Sequence, residues 1–365
     1  MLSAGGLLNA ALSLLFGALA DRYGARIFLI IHQTIVSFTS LLPLFFIHPF
    51  FLGLAALTAN LGRGQNGAAG PFASAESSWL AETLPVKERG SVYSLNAAIG
   101  FFGMGAGALL SGLLPLWQTI LHGSQAYRPL FLLPSVGSAI CAILLSKTPG
   151  GVPHKIFSSS KLEVMTDSSE KSNSFSYRPL ILLCTTNAFN GIAIGMTSPL
   201  IAYWFAAKFH AGPSLIGPVL SITFILTGLS SLFTGTLTKR IGLISSIVSA
   251  RLLGLVMLIA LPLAPTYNIA AILYMLRSTF SRGTAGARQA FALSLIPVHR
   301  RALGISLNNV SSQLPSAIGP WITGLLIQNS HLSLPFYIAA GLQAIYLILY
   351  TLLFRKLESD DIVEK

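Results

Sequence analysis

Eleven apolar stretches, each close to bilayer length, follow one another along this chain and leave little room for any other kind of fold. A hydrocarbon core of about 30 Å takes roughly 20 residues of helix. The stretches fall at 3–20, 27–47, 50–72, 93–115, 129–147, 179–206, 214–235, 243–262, 267–291, 303–327 and 334–354. Charged residues are only 9% of the 365, whereas a soluble domain is nearer about a quarter charged. Lipid is therefore the expected solvent for most of the surface, and the expected fold class is an all-α membrane protein. The formal charge of +12 would point to nucleic acid in a soluble protein; here its distribution matters more than its sum, and no nucleic-acid partner is expected.

That distribution sets an orientation. One set of loops carries Arg22 and Arg26, Lys87 and Arg89, and the basic residues of the central segment. The same side continues with Lys239 and Arg240, Arg300 and Arg301, and Arg355 and Lys356, while the opposite loops hold only Arg128 and Lys208. The excess of basic residues marks the cytosolic side. Residues 1–147 thus read as a first helical unit, 148–177 as a Ser- and charge-rich cytosolic linker, 178–356 as a second unit of six spans, and 357–365 as a cytosolic tail.

The chain also repeats itself. Gly17-Ala-Leu-Ala-Asp-Arg-Tyr-Gly-Ala-Arg26 returns as Gly235-Thr-Leu-Thr-Lys-Arg-Ile-Gly242, offset by 218 positions. Pro85-Val-Lys-Glu-Arg89 matches Pro297-Val-His-Arg-Arg301, and Ser94-Leu-Asn96 matches Ser306-Leu-Asn308, both at an offset of 212. The first motif, with Arg63 followed by a glycine-rich run and Glu82-Thr-Leu-Pro-Val-Lys-Glu-Arg-Gly90, resembles the signatures of the major facilitator superfamily of transporters. The resemblance covers essentially the whole chain. It implies two parallel six-helix halves related by a pseudo-twofold axis along the membrane normal, transport by alternating access, and no cofactor.

Two departures from that pattern stand out. The span 179–206 has no partner in the first unit, so the first helix of a twelve-helix transporter is expected to lie upstream of Met1. The glycine–proline pattern of antiporters is absent from the fifth helix: Gly103, Gly105 and Gly107 stand there without a proline, while Gly319-Pro320 occupies the equivalent place in the second unit.

No hydrolase elbow, phosphate loop, dinucleotide fingerprint or zinc-binding His-Glu-x-x-His occurs, and neither enzyme activity nor a metal is expected. Cys141 and Cys184 lie in separate apolar runs and read as small packing residues. Charged groups inside spans are costly and mark a pathway by default. Arg63 lies about 20 Å along its span, and Arg277 and Arg282 about 15 and 22 Å along theirs, with no carboxylate at that depth; snorkelling towards the cytosol is the plain alternative, most of all for Arg282. Asn187 and Asn190 are hydrogen-bonding candidates in the same pathway, or helix–helix glue. His32 reads as a packing residue. Basic groups without a nearby acid favour an anionic substrate.

The resemblance further implies a cytoplasmic gate built from Gly17, Asp21, Arg22, Gly24, Arg26, Glu82 and Arg89. Glu76 and Arg288, matched by the repeat and opposite in charge, are expected to meet across it when it is shut. The expected function is secondary transport of a small solute, an organic anion ahead of hydrophobic drugs, with or without a coupling proton or counter-ion. A multidrug exporter is the alternative, and a non-transporting scaffold or sensor is the rival of another class. A monomer in the cell membrane, surrounded by lipid, is expected.

Overall fold

The computed structural model describes residues 25–46, 48–60, 86–121, 123–148, 178–295, 301–329 and 331–363, together with Leu12, Phe72, Glu76, Trp79 and Leu80. These residues are almost entirely helical. Helices α1 (Ala25–Phe45), α2 (Pro49–Asn60), α3 (Val86–Gly112), α4 (Leu114–Ile120) and α5 (Arg128–Lys147) precede the central segment. After it come α6 (Arg178–Thr197), α7 (Ile201–Phe209), α8 (Pro213–Ile241) and α9 (Leu243–Ala260). The chain continues with α10 (Tyr267–Gly283), α11 (Ala285–Ser294), α12 (Arg301–Gln328) and α13 (Leu334–Val363). Among the described residues, seven helices are long and apolar enough to cross a membrane. Large apolar side chains such as Phe45, Phe233, Leu263 and Leu352 point outward, each more than two-thirds exposed. Hydrocarbon solvates such a surface without cost, because every backbone polar group is already satisfied within a helix.

Two expected spans are interrupted. The stretch 179–206 breaks at Ser198-Pro199 between α6 and α7, and 267–291 breaks at Thr284 between α10 and α11. The first break falls at a proline, the second in the polar run Ser281-Arg-Gly-Thr284, and both are residue types that interrupt helices. Gly242, which ends the second copy of the repeated motif, links α8 to α9 with φ +86°. Only glycine adopts that backbone cheaply, which gives the motif glycine a structural reason.

Small residues let the helices cross closely. A Cβ added to Gly191 or Gly195 on α6 would collide with the backbone of Ser312 or Ser316 on α12, and one on Gly319 would meet Gly195 and Met196. This is the small-residue packing that membrane interiors favour where no hydrophobic effect draws helices together. A second seam joins the two units: α3 lies along α8, where Gly112 and Gly217 abut and Gly105 faces Ser221 and Ile225. Gly103 and Gly107, by contrast, face open space.

Within α6–α13 the buried apolar residues divide into two clusters. One holds Met196, Trp204, Phe205, Leu255, Leu258, Tyr274 and Phe336. The other holds Leu183, Ile244, Ile247, Phe291, Tyr346, Tyr350 and Phe354. On α9, Arg251 falls between Ile247 of the second cluster and Leu255 of the first; on α13, Gln343 falls between Tyr346 and Ala340 in the same way. Asn187 and Asn190 on α6 lie between Leu183 and Ala193. A polar layer is thus sandwiched between two apolar plugs.

Candidate substrate site in the polar layer

Arg251 sits eight residues into α9, about 12 Å along it, near the middle of an otherwise apolar helix. Its Nη1 donates to Asn190 Oδ1 at 2.6 Å, and its guanidinium lies 4.8 Å from the centre of the Tyr346 ring. Arg277 on α10 donates from Nη2 to Thr197 Oγ1 at 3.0 Å. Further along the same helix, Arg282 donates from Nη2 to Ser198 Oγ at 3.2 Å, with its guanidinium 5.7 Å from the centre of the Phe224 ring. Thr197 and Ser198 are the residues at which α6 ends, so the break in that span supplies the hydroxyls that hold two arginines in place. The break at Thr284 places α11, and with it Arg288, against the same space.

These four arginines line one cavity of about 130 Å³, together with Ser278, Ser281, Gln313, Ser316 and Gln343. No Asp or Glu is among its described lining residues, and the sequence has none anywhere between Glu170 and Glu358. Arg251 and Arg277 are both more than nine-tenths buried. Nε of Arg251, Arg277 and Arg288 is buried without a hydrogen bond, and so are both amide atoms of Gln313 and the hydroxyl of Ser278. Buried polar atoms are ordinarily paired, and a buried cation without a counter-charge is the most expensive of them. Their concentration around one space singles it out as the candidate site.

A second cavity of about 140 Å³ is lined by Asn187, Gln289, Asn308, Asn309, Tyr346 and Tyr350, among others, and shares Asn190, Ala285, Arg288 and Ser312 with the first. Asn187 Nδ2 donates to Asn308 Oδ1 at 2.8 Å. Of the two asparagines singled out in the sequence, Asn190 lines both cavities, and Asn187 lines the second beside Arg288. Arg282 points inward with them rather than along its helix to the surface. Trp204, on the same stretch as the asparagines, is instead a core residue packed on Phe205 and Phe336, and Tyr203 is exposed.

Sequence reasoning passes over Arg251, Gln313 and Gln343 as site residues. The signal for Arg251 is present: a single arginine in the middle of an apolar run obeys the rule that singles out Arg63 and Arg277. The two glutamines, uncharged and scattered over α12 and α13, give no comparable signal.

The expected gate residues are only partly described. Gly17, Asp21, Arg22, Gly24 and Glu82 lie outside the described residues, as does the expected pathway residue Arg63; Arg89 is on α3, with only its backbone described. Arg26 donates from Nε to Leu145 O at 2.9 Å and from Nη2 to Ser146 O at 2.6 Å, capping the last carbonyls of α5, where a cation is favoured by the helix dipole. Glu76 Oε1 accepts from Asn96 Nδ2 at 2.6 Å. Two residues before Asn96, Ser94 packs against Gly286, two residues before Arg288, so α3 and α11 touch at this level across the two units.

His32 is buried and stacked on Phe72 at 4.2 Å between ring centres, in keeping with a packing role. Lys208, outside the spans, donates to Pro262 O and Ala264 O, and desolvation by burial lowers its pKa.

Comparison with known proteins agrees with this architecture. The sequence matches the Major Facilitator Superfamily over residues 1–182 and again over 183–364. It is 22% identical over 302 residues to the uncharacterised membrane protein YJR124C of Saccharomyces cerevisiae, covering 75% of this chain and 67% of that protein. Among solved structures, a point mutant of the nucleoside transporter NupG superposes with a TM-score of 0.63 at 13% identity, over 97% of this chain and 89% of the other. With the family matched from end to end and the helical bundle of a transporter around a polar centre, the chain belongs to the major facilitator superfamily of membrane transporters.

Proposed function

We propose that this transporter carries a small organic anion, bound by Arg251, Arg277, Arg282 and Arg288 near the membrane midplane and released by alternating access. The observation that carries the reading is the gathering of four arginines around one cavity within a stretch of chain that has no acid between Glu170 and Glu358. An incoming anion gains from every guanidinium in a low-dielectric space, whereas a cation meets repulsion with nothing to offset it. That asymmetry favours an anion over the cationic hydrophobic compounds of the multidrug alternative. Asn187 and Asn190 orient the guest.

In the same reading the basic loops, the 148–177 linker and the C-terminus are cytosolic, the protein works as a monomer in the cell membrane, and 1–147 and 178–356 are the two moving bodies. The cytoplasmic gate comprises Gly17, Asp21, Arg22, Gly24 and Arg26, with Glu82 and Arg89, and the pair Glu76 and Arg288. When the anion engages Arg288, that side chain is drawn from Glu76 and the gate loosens, a differential contact of the kind a two-state switch needs. Coupling to a proton or exchange against a second anion both fit this scheme.

The test is counterflow in proteoliposomes with labelled organic anions, cationic dyes and nucleosides. Accumulation of anions alone, lost in Arg277→Gln, is expected. Accumulation of dyes or nucleosides in place of anions would overturn the reading.

A further inference from the structure

The two joined cavities say more about the cargo than its sign, and the following rests on the anion reading above. Four guanidinium groups surround the first cavity with no acid among its described lining residues. A monocarboxylate offsets one of those charges. A phosphate monoester brings a charge of about −1.5 to −2 at neutral pH and three acceptor oxygens on one centre, which is what several arginine forks converging on one small space are shaped to receive. The unsatisfied Nε atoms of Arg251 and Arg277 are donors for such oxygens. A dicarboxylate, with its charges set apart, would have to send one of them into the second cavity, where Arg288 is the only cation among the described lining residues.

That second cavity has a different chemistry. Apart from Leu183 and Ala285, its described lining is Asn187, Asn190, Asn308, Asn309 and other side chains that donate or accept hydrogen bonds. An apolar tail entering it would strip these groups of water without replacing the bonds. Gln313, lining the first cavity, leaves both its Nε2 and its Oε1 buried and unpartnered, so it asks for a donor and an acceptor together. The Tyr346 hydroxyl, in the lining of the second cavity, is likewise buried and unpartnered. A hydroxyl group is both donor and acceptor, and a chain of hydroxyls meets an array of amides well.

We infer that the cargo is a phosphorylated, hydroxyl-bearing metabolite, with its phosphate on Arg251, Arg277 and Arg282. Its hydroxylated body then passes Arg288 to reach Asn187 and Asn309. The amide cavity selects such a molecule over bare phosphate, and over anions with an apolar body.

The experiment uses the full chain, purified for thermal-shift binding and reconstituted for counterflow. The probes are glycerol 3-phosphate, glucose 6-phosphate, inorganic phosphate, succinate, octanoate and glucose. The phosphate esters are expected to stabilise the protein at concentrations about tenfold below those needed for inorganic phosphate, the gain of about one hydrogen bond to a well-placed amide. Glucose and octanoate should stabilise little, and labelled phosphate esters should exchange. In Asn309→Leu, or in Asn309→Ser where the leucine variant elutes as aggregate, the advantage of the esters should vanish while the response to inorganic phosphate stays. Preference for succinate or octanoate would overturn the phosphorylated cargo and leave the anion reading standing. Equal loss of esters and inorganic phosphate in the Asn309 variants would overturn the division of labour between the cavities. Response to glucose alone would sink both readings.

Discussion

Among the described residues before 148, most buried polar contacts are short hydrogen bonds between uncharged groups, with Nε2 of His32 and Nε of Arg128 left buried without one. Thr39 and Thr58 share a hydrogen bond of 2.6 Å between α1 and α2, Ser135 donates to Ser37 O, and His32 stacks on Phe72. In the helices after residue 178 the described polar layer is built on Arg251, Arg277, Arg282 and Arg288, and several of its buried atoms have no hydrogen bond. The matched positions sharpen the contrast. Asn96 and Asn308 are both kept, but Asn96 donates to Glu76 while Asn308 accepts from Asn187, and Arg288 stands where the repeat has Glu76. Packing needs only small residues and hydroxyls, and both units have those. Uncompensated charge serves no packing purpose and costs stability, so its gathering around the described cavity of the second unit supports the anion reading proposed above.

The comparison breaks first if packing and charge turn out not to be separable. Gly195→Leu drives a side chain into the backbone of α12 and is expected to cost more than about 3 kcal/mol, enough to abolish the monodisperse peak in fluorescence-detected size exclusion. Gly103→Leu, which meets open space, should leave that peak in place. Retention of a normal peak by Gly195→Leu would mean that the α6–α12 crossing is looser than described.

A smaller effect separates the two polar centres. Arg277→Gln is expected to lower anion counterflow by about a hundredfold, or about 2.7 kcal/mol of lost charge-assisted bonding, with the protein still folded. Thr58→Val in the first unit removes one hydroxyl pair, worth about 0.6 kcal/mol in a membrane protein, and should change the flux by less than about threefold. Equal losses from the two variants would erase the distinction between the units.

The gate pair is smaller still. Glu76→Gln and Arg288→Gln should each slow transport, and the exchange Glu76→Arg with Arg288→Glu should recover part of the rate. A double-mutant cycle on the two sites is expected to give a coupling of about 0.5–3 kcal/mol. Strictly additive losses would show that the two side chains never meet. Least of all, Arg26→Ala should lower thermal stability by about 1 kcal/mol, through loss of the carbonyl cap on α5, as read in a thermal-shift assay.

Much of the fold was legible because hydropathy and the repeat both report on bilayer burial, which composition controls directly. The breaks at Ser198-Pro199 and Thr284 were not, because hydropathy averaged over a whole span outweighs local signals such as the proline and the run Arg282-Gly283-Thr284. Of the candidate site, Arg277, Asn187 and Asn190 were named from the sequence, whereas Arg288 was read as a gate residue and Arg282 as the arginine most apt to snorkel. Arg251 escaped because the run from Leu243 to Ala260 is otherwise so apolar that it reads as a plain span. Gln313 and Gln343 acquire meaning only when α12 and α13 bring them to the arginines, and no spacing rule within one helix announces that.

The central claim is that the polar layer of the second unit carries a positive potential meant for an anion, and it can be measured without knowing the substrate. Ser281 lines the arginine cavity; in a Cys141→Ser, Cys184→Ser background, Ser281→Cys places a single thiol there. Its modification rates with an anionic sulfonatoethyl and a cationic trimethylammonioethyl methanethiosulfonate report the local potential. Relative to the same ratio for a free thiol, the anionic reagent should be favoured by about tenfold or more, since unit charges a few ångströms apart interact by several kcal/mol in so poor a dielectric. That preference should fall when Arg277→Gln is added. A ratio equal to that of the free thiol, or one favouring the cationic reagent, would contradict the account.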